Sequence, residues 1–420
     1  MNPFFVRSAI AKLVLGGLAA ITLLLVSSEA HAYAWMIRHE YTACAQCHAD
    51  PSGGGLLTPY GRAQGELLLR TPYTKRAEDE EPGKIGNFMF GAFDLPDWLL
   101  LGADARGMQL QSKTSLPDPI PNPPKASRFI LMQADMQGQV TYNWFRANGS
   151  IGYAYEGALG ASITRGQNNS GRAVSRVHWL GADLGEDKQF LLRAGRMNLP
   201  FGLRQIEHTM FVRTATRTDI NAAQSDGVAI AYNGPKLRAE LMAIAGNFQV
   251  RPDDYRERGY AGYLEYAPYE KLAVGASSLI VHADAGLSEP VQSAPVWRHA
   301  HGLFARFTPV KPLVLLAESD LLLVSQPPSA ANSHRSQFGS ANMLQADVEP
   351  YQGVHVIVAG ELYDQELARS RATWEGWAGA QWFFAPHADV RLDAVYTATP
   401  ISSTDSASTV TLLAQFHVYL

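Results

Sequence analysis

From about residue 97 onward the chain repeats with a period of two, and this constrains its fold more than any other feature. Ile130, Met132, Ala134, Met136, Gly138 and Val140 alternate with Leu131, Gln133, Asp135, Gln137 and Gln139. Leu237, Ala239, Leu241, Ala243 and Ala245 stand opposite Arg238 and Glu240. Leu344, Ala346 and Val348 alternate with Gln345, Asp347 and Glu349, and Val390, Leu392, Ala394 and Tyr396 with Arg391 and Asp393. Sixteen such segments run from 98–110 to 409–420, among them 147–158, 173–184 and 338–349. Soluble sandwiches alternate too, but their strands are usually about five or six residues long. Many of these run ten to fourteen, enough for a tilted strand that crosses a bilayer in about 9–11.

The connections alternate between short and long. Asn233-Gly234-Pro235, Pro268-Tyr269-Glu270-Lys271 and Pro350-Tyr351-Gln352 are short, whereas 111–126 and 284–297 are long. Outer-membrane barrels pair short periplasmic turns with long outer loops and an even strand number. In lipid only closure satisfies the edge strands. The expected fold is therefore all-β, a transmembrane antiparallel barrel of about sixteen strands over residues 97–420. Both of its ends would face the periplasm. Trp374, Trp382 and Phe384 fit the interfacial girdles of such a barrel.

Composition agrees once the alternation is taken into account. The 420 residues are 46% hydrophobic and 18% charged because one strand face meets lipid and the other water. The formal net charge of −4 gives no footprint for nucleic acid. Two cysteines exclude a disulfide scaffold. Only the first 30 residues hold a long apolar run, which excludes a helical membrane bundle. That run, Leu13 to Val26, follows Arg7 and Lys12 and precedes Ala30-His31-Ala32. The pattern is a secretory signal peptide over residues 1–32.

Both cysteines lie in Cys44-Ala45-Gln46-Cys47-His48. C-x-x-C-H is the attachment pattern of c-type haem. Two thiols three residues apart each bond one vinyl group of the porphyrin, and the adjoining His48 ligates the iron. A Cys44–Cys47 redox disulfide and a zinc site compete with this reading, although neither a βαβ pattern nor a second C-x-x-C is present. His39, Met36 and Met89 are candidate distal ligands, with an open sixth position as the alternative. The expected haem module spans residues 33–74, followed by a charged linker over 75–96 that begins Lys75-Arg76-Ala77-Glu78-Asp79-Glu80-Glu81. Forty residues build little core, so the covalent haem would supply much of it.

The longest connection, Met197 to Ser225, follows the fifth candidate strand and holds Arg204, His208, Arg213 and Arg217. It reads either as a luminal constriction, its arginines near the haem propionates, or as a solvated surface loop. Luminal Arg193, Arg238 and Arg391 would be met by Asp135, Glu318, Asp320 and Asp347.

Two resemblances follow from these residues. Gly195-Arg196-Met197-Asn198-Leu199-Pro200-Phe201-Gly202 resembles a recurring stretch of anion-selective porins. Cys44 to His48, then Leu57-Thr58-Pro59-Tyr60-Gly61-Arg62, then a long barrel, resembles the fused cytochrome–porin proteins of the Gram-negative outer membrane. The best-known of these oxidise ferrous iron at the cell surface. The resemblance implies one covalent haem c on Cys44 and Cys47, with His48 on the iron. It implies electron transfer across the outer membrane between an extracellular partner, Fe(II) or another, and a soluble periplasmic cytochrome. Leu420 departs from the aromatic residue that usually ends such barrels. The alternative function is a diffusion porin for small anions with the haem module as plug or sensor.

Size favours a plug. A unit of about 50 residues is roughly 25 Å across. Sixteen strands about 4.8 Å apart, tilted about 40°, make a backbone cylinder of roughly 32 Å. The module is thus expected in or at the periplasmic mouth. Mass spectrometry of the exported protein is expected to find Tyr33 at the N-terminus; retention of residues 1–32 would make the leader an anchor.

Overall fold

The computed structural model describes residues 34–39, 41, 43–73, 83–155, 172–205, 207, 209–249, 252, 256–284, 295–326, 335–369, 371–402 and 404–420. The leader and the whole charged run at 75–82 lie outside the described residues, as does His208.

One antiparallel sheet accounts for nearly everything after residue 98. Its strands are β1 Leu99–Ser115, β2 Ala126–Tyr142, β3 Phe145–Tyr153, β4 Ala173–Val174, β5 His178–Leu184 and β6 Phe190–Asn198. They continue as β7 Gln224–Asn233, β8 Leu237–Gly246, β9 Arg258–Tyr269, β10 Leu272–Ala283, β11 Val296–Val310 and β12 Leu313–Gln326. The last are β13 Arg335–Tyr351, β14 Val354–Asp364, β15 Thr373–Ala385, β16 Ala388–Pro400 and β17 Ser406–Tyr419. Pairing of β17 with β1, Phe416 opposite Gly107, closes the sheet. Leu420 completes the seam by exchanging backbone hydrogen bonds with Ala103 at 2.8 and 3.2 Å.

The barrel has sixteen spans, as expected. Segments β4 and β5 both pair with β3 and are one interrupted span. The sequence reading of unbroken strands over 147–158 and 173–184 is corrected here, since β3 ends at Tyr153 and the chain steps out of register at 175–177. The step has a reason. Arg176 turns inward to pair with Asp135 and to donate to the Asn221 carbonyl at 2.9 Å. The backbone it displaces is taken up by Ser150, whose Oγ accepts from Val177 N at 2.9 Å.

The polarity of the barrel is inverted relative to a soluble protein. Leu344 and Leu392 are each 62% exposed, while Asp320 and Asp347 are fully buried. Contiguous outward apolar faces of this size belong against hydrocarbon. Trp374 and Trp382 lie outward at opposite ends of β15. Eight residues of strand separate them, about 26 Å along its axis, close to the height of the apolar band of such barrels.

Every two- or three-residue turn between strands and both barrel ends lie at one end, which we term the turn end. Residues 34–73 fold inside the lumen there. Arg38 pairs with Asp347 and Glu349, and donates to the Pro312 carbonyl. Gln352 donates to the carbonyls of Leu67 and Arg70 at 2.9 and 3.0 Å. Thr71 N donates to Phe383 O at 2.9 Å. Gly353 has φ +81, and a Cβ there would lie 2.7 Å from Leu69 O, so a glycine turn lets plug and wall backbones touch.

The connection 199–223 also folds inward and is not a surface loop. Phe201, Met210 and Val212 are fully buried. Gly202 N donates to Ser277 Oγ at 2.7 Å, Leu203 N to Glu318 at 2.9 Å, and Phe211 N to Glu361 at 2.9 Å. Leu344→Arg on the outer face near mid-span is expected to cost about 2–4 kcal/mol of folding stability in lipid vesicles. Urea-dependent folding measures it, and an unchanged midpoint would contradict a lipid-facing Leu344.

Candidate functional site

The plug is a chain of short turns held by its own backbone. Cys44–Gln46 forms a 3-10 turn, from which His48 N donates back to Cys44 O at 2.9 Å. His48 then pairs with Leu57 in an isolated antiparallel bridge. Thr58 N donates to Cys47 O at 2.9 Å, and Thr58 Oγ1 to Gln46 O at 2.8 Å. The same Oγ1 caps the helix Pro59–Gln64 by accepting from Gly61 N at 3.1 Å. Pro59 fits the first helical turn, where no donor is required. Gly61 packs so tightly that a Cβ would stand 2.2 Å from Cys47 O. The stretch Leu57 to Arg62 thus has a physical role: it clamps the Cys44–His48 turn from behind.

The front of that turn opens onto a cavity between plug, barrel wall and the 199–223 connection. Cys44, Cys47 and His48 all line it. Both cysteines are free thiols in this structure. Among the described residues no group of three or more His, Cys, Asp or Glu is arranged to hold a bare metal ion. Cys44 Sγ accepts from Arg238 Nη1 at 3.3 Å. Burial drives the Cys47 thiol up to about 12.

Burial also lowers His48 to about 4, against the opposing pull of the Gly55 backbone and the Asp50 charge. The imidazole is therefore neutral near pH 7, the form that ligates metals. The backbone of Gly54 and Gly55 is within hydrogen-bond reach of its ring. Axial histidines are usually oriented by such a backbone partner.

The donor set of two cysteine thiols and a histidine on one cavity fits a c-type haem, and the walls carry a further sign. Arg204 Nη2 is buried with no hydrogen-bond partner, and Arg204 lines the cavity. The other loop arginines are elsewhere: Arg213 pairs with Glu318 and donates to Thr218, and Arg217 pairs with Glu257. Of the distal candidates, only Met36 reaches the cavity, where it is 1% exposed. His39 turns to Glu349, its Nε2 3.3 Å from the carboxylate. Met89 lies on the exposed turn Phe88–Gly91 and does not line the cavity. His39 and Met89 thus stand away from the cavity, the first held by Glu349 and the second on an exposed turn. His417, missed from sequence, lines the cavity and bridges Asp389 at 2.9 Å and Asp104 at 3.3 Å. No short-range signal marks it, because its partners lie 28 and 313 residues away.

Plug and wall are joined by paired charges. Arg193 binds plug Asp50 at 2.8 Å and wall Glu240. Arg238 and Arg306 share Glu265. Arg391 binds Glu207 at 2.6 Å and Asp393 at 2.8 Å. The luminal arginines singled out in the sequence are therefore neutralised in place.

No family model matches the chain, and comparison with curated proteins returns no match. Solved structures do match. OmpT, an outer-membrane protein of Vibrio cholerae, superposes with a TM-score of 0.52 at 13% identity, over 77% of this chain and 99% of that one. The outer-membrane channel DcaP of Acinetobacter baumannii gives 0.52 at 12%, over 76% and 96%. The anion-selective porin of Comamonas acidovorans gives 0.52 at 12%, over 77% and 99%. The fold is that of a porin-type outer-membrane barrel. These likenesses concern the fold, and the 34–73 plug is argued from its own residues.

Arg193→Met leaves Asp50 and Glu240 buried without a cation, and a broken buried pair costs about 3–5 kcal/mol. We expect the plug to loosen, read as higher single-channel conductance in planar bilayers. Conductance equal to the native protein's would mean the pair does not seat the plug.

Proposed function

We propose that the protein sits in the outer membrane as a monohaem c-type cytochrome fused to a porin-type barrel, and that it passes electrons across that membrane. The observation that carries this reading is the convergence of Cys44, Cys47 and His48, the whole C-x-x-C-H pattern, on one cavity inside a closed barrel. Short turns at the end that holds the plug support a periplasmic position for it.

A bound haem would supply a one-electron couple between a reduced donor and an oxidised acceptor. The chain's own residues do the rest. Cys44 and Cys47 tether the porphyrin, and His48 offers a neutral, backbone-oriented nitrogen to the iron. The barrel keeps the site away from bulk water on its lipid side and leaves approach along its axis. One haem does not span a membrane about 30 Å thick. A donor such as Fe(II) must therefore reach the lumen from the loop end, and a soluble carrier must approach the plug from the turn end.

The anion-porin reading draws on the resemblance of residues 195–202, but the luminal arginines it needs are largely ion-paired and the lumen is filled by plug and loop. Co-expression with the haem c maturation machinery tests the proposal. The purified barrel should carry one covalent haem, and Cys44→Ser/Cys47→Ser should abolish it while heat-modifiable gel migration persists. His48→Met should keep the covalent haem and alter the axial-ligand spectrum. A native barrel with no covalent haem, or one passing ohmic anion current, would overturn the proposal.

A further inference from the structure

The cavity beside Cys44 and His48 holds four arginines, and two of them are unlike the others. Arg176 is committed to Asp135, and Arg391 to Glu207 and Asp393. Arg106 and Arg204 also line the cavity but, among the described residues, have no ion-pair partner. Arg106 projects from β1 and is 7% exposed. Arg204 comes from the opposed 199–223 connection. Its Nη1 donates to the Leu199 carbonyl at 2.5 Å and its guanidinium lies 5.7 Å from the Tyr263 ring centre, while its Nη2 stays buried and unsatisfied.

The cavity's carboxylates are in contact with other cations: Asp50 with Arg193, Asp104 and Asp389 with His417, Asp135 with Arg176, and Glu207 with Arg391. Asp104 acts on Arg106, and wall Glu240 on Arg204, through space without an ion-pair contact. Two guanidinium groups that touch no carboxylate thus border one space, and Arg204 keeps a buried nitrogen without a partner. A buried charge is costly unless paired. Arginine also prefers planar, two-pronged carboxylate partners.

We propose that Arg106 and Arg204 form a two-point carboxylate site that takes the two propionate groups of the haem. This inference rests on the covalent haem of the preceding reading. It assigns two positioning residues, one on the wall and one on the constriction connection. The haem then joins three parts of the molecule: the plug through Cys44, Cys47 and His48, the wall through Arg106, and the connection through Arg204. It also narrows the sequence reading, in which three loop arginines approached the propionates: Arg213 and Arg217 have acid partners of their own, and the second contact comes from β1.

The test is redox titration of the purified holoprotein with Arg106→Gln, Arg204→Gln and the double variant. Covalent haem content should match the native protein, because the thioether residues are untouched. The midpoint potential should fall, since uncompensated propionates favour Fe(III). We expect about a tenfold change in the one-electron equilibrium for the double variant, about 59 mV. Lysine at both positions should restore part of the shift by returning the charge without the fork. Added inorganic phosphate should leave the native potential unmoved. A phosphate-dependent shift that the double variant abolishes would assign the pair to a diffusible anion and overturn the proposal. Full haem content with unchanged potentials would overturn it while leaving the covalent haem standing. A native protein without covalent haem would remove both.

Discussion

A closed sheet of sixteen spans encloses more room than its inward side chains fill, and the rest of the structure follows from how that space is occupied. Two pieces of chain enter it. Residues 34–73 occupy the turn end, and the 199–223 connection packs Phe201, Met210 and Val212 into the middle. A lumen evolved for water carries charges, so the filling must neutralise them. Arg193 between Asp50 and Glu240, and Arg38 between Asp347 and Glu349, do this while locating the plug. Such pairs give position more than stability, because each carries a desolvation cost.

The barrel was legible because its physics is local. Alternation along each strand reports which face meets lipid, and turn residues report where the chain reverses. The count of sixteen spans and the short-long rhythm follow from these two signals. The interrupted fourth span was not legible, because its break depends on Arg176 reaching Asp135, 41 residues earlier in sequence and on a different strand. The plug's chemistry was legible in Cys44 to His48 for the same local reason. Its support was only half so: Thr58 and Gly61 stand in a recognisable stretch, but that they clamp Cys47 from behind is visible only once the bridge from His48 to Leu57 has formed.

The far wall of the cavity was legible only in part. Alternation places Arg106, Arg391 and His417 on the luminal face, but gives neither their height in the barrel nor their partners. Nearness in sequence therefore does not decide which distal candidate stands at the cavity. His39 lies five residues before Cys44 yet turns to Glu349, whereas Met36 is farther away in sequence and lines the cavity. A barrel brings strands distant in sequence to one level, so proximity to an attachment motif says little about what stands across from it.

The central claim is that the chain links two aqueous sides by electron transfer through its lumen. Proteoliposomes holding the purified holoprotein, loaded with an oxidised soluble cytochrome c and given an impermeant reductant outside, test it most directly. The account requires reduction of the enclosed cytochrome by the holoprotein, and none by the Cys44→Ser/Cys47→Ser barrel. An enclosed cytochrome that stays oxidised beside a native barrel with reduced haem, or one reduced equally through the barrel lacking both cysteines, would contradict it.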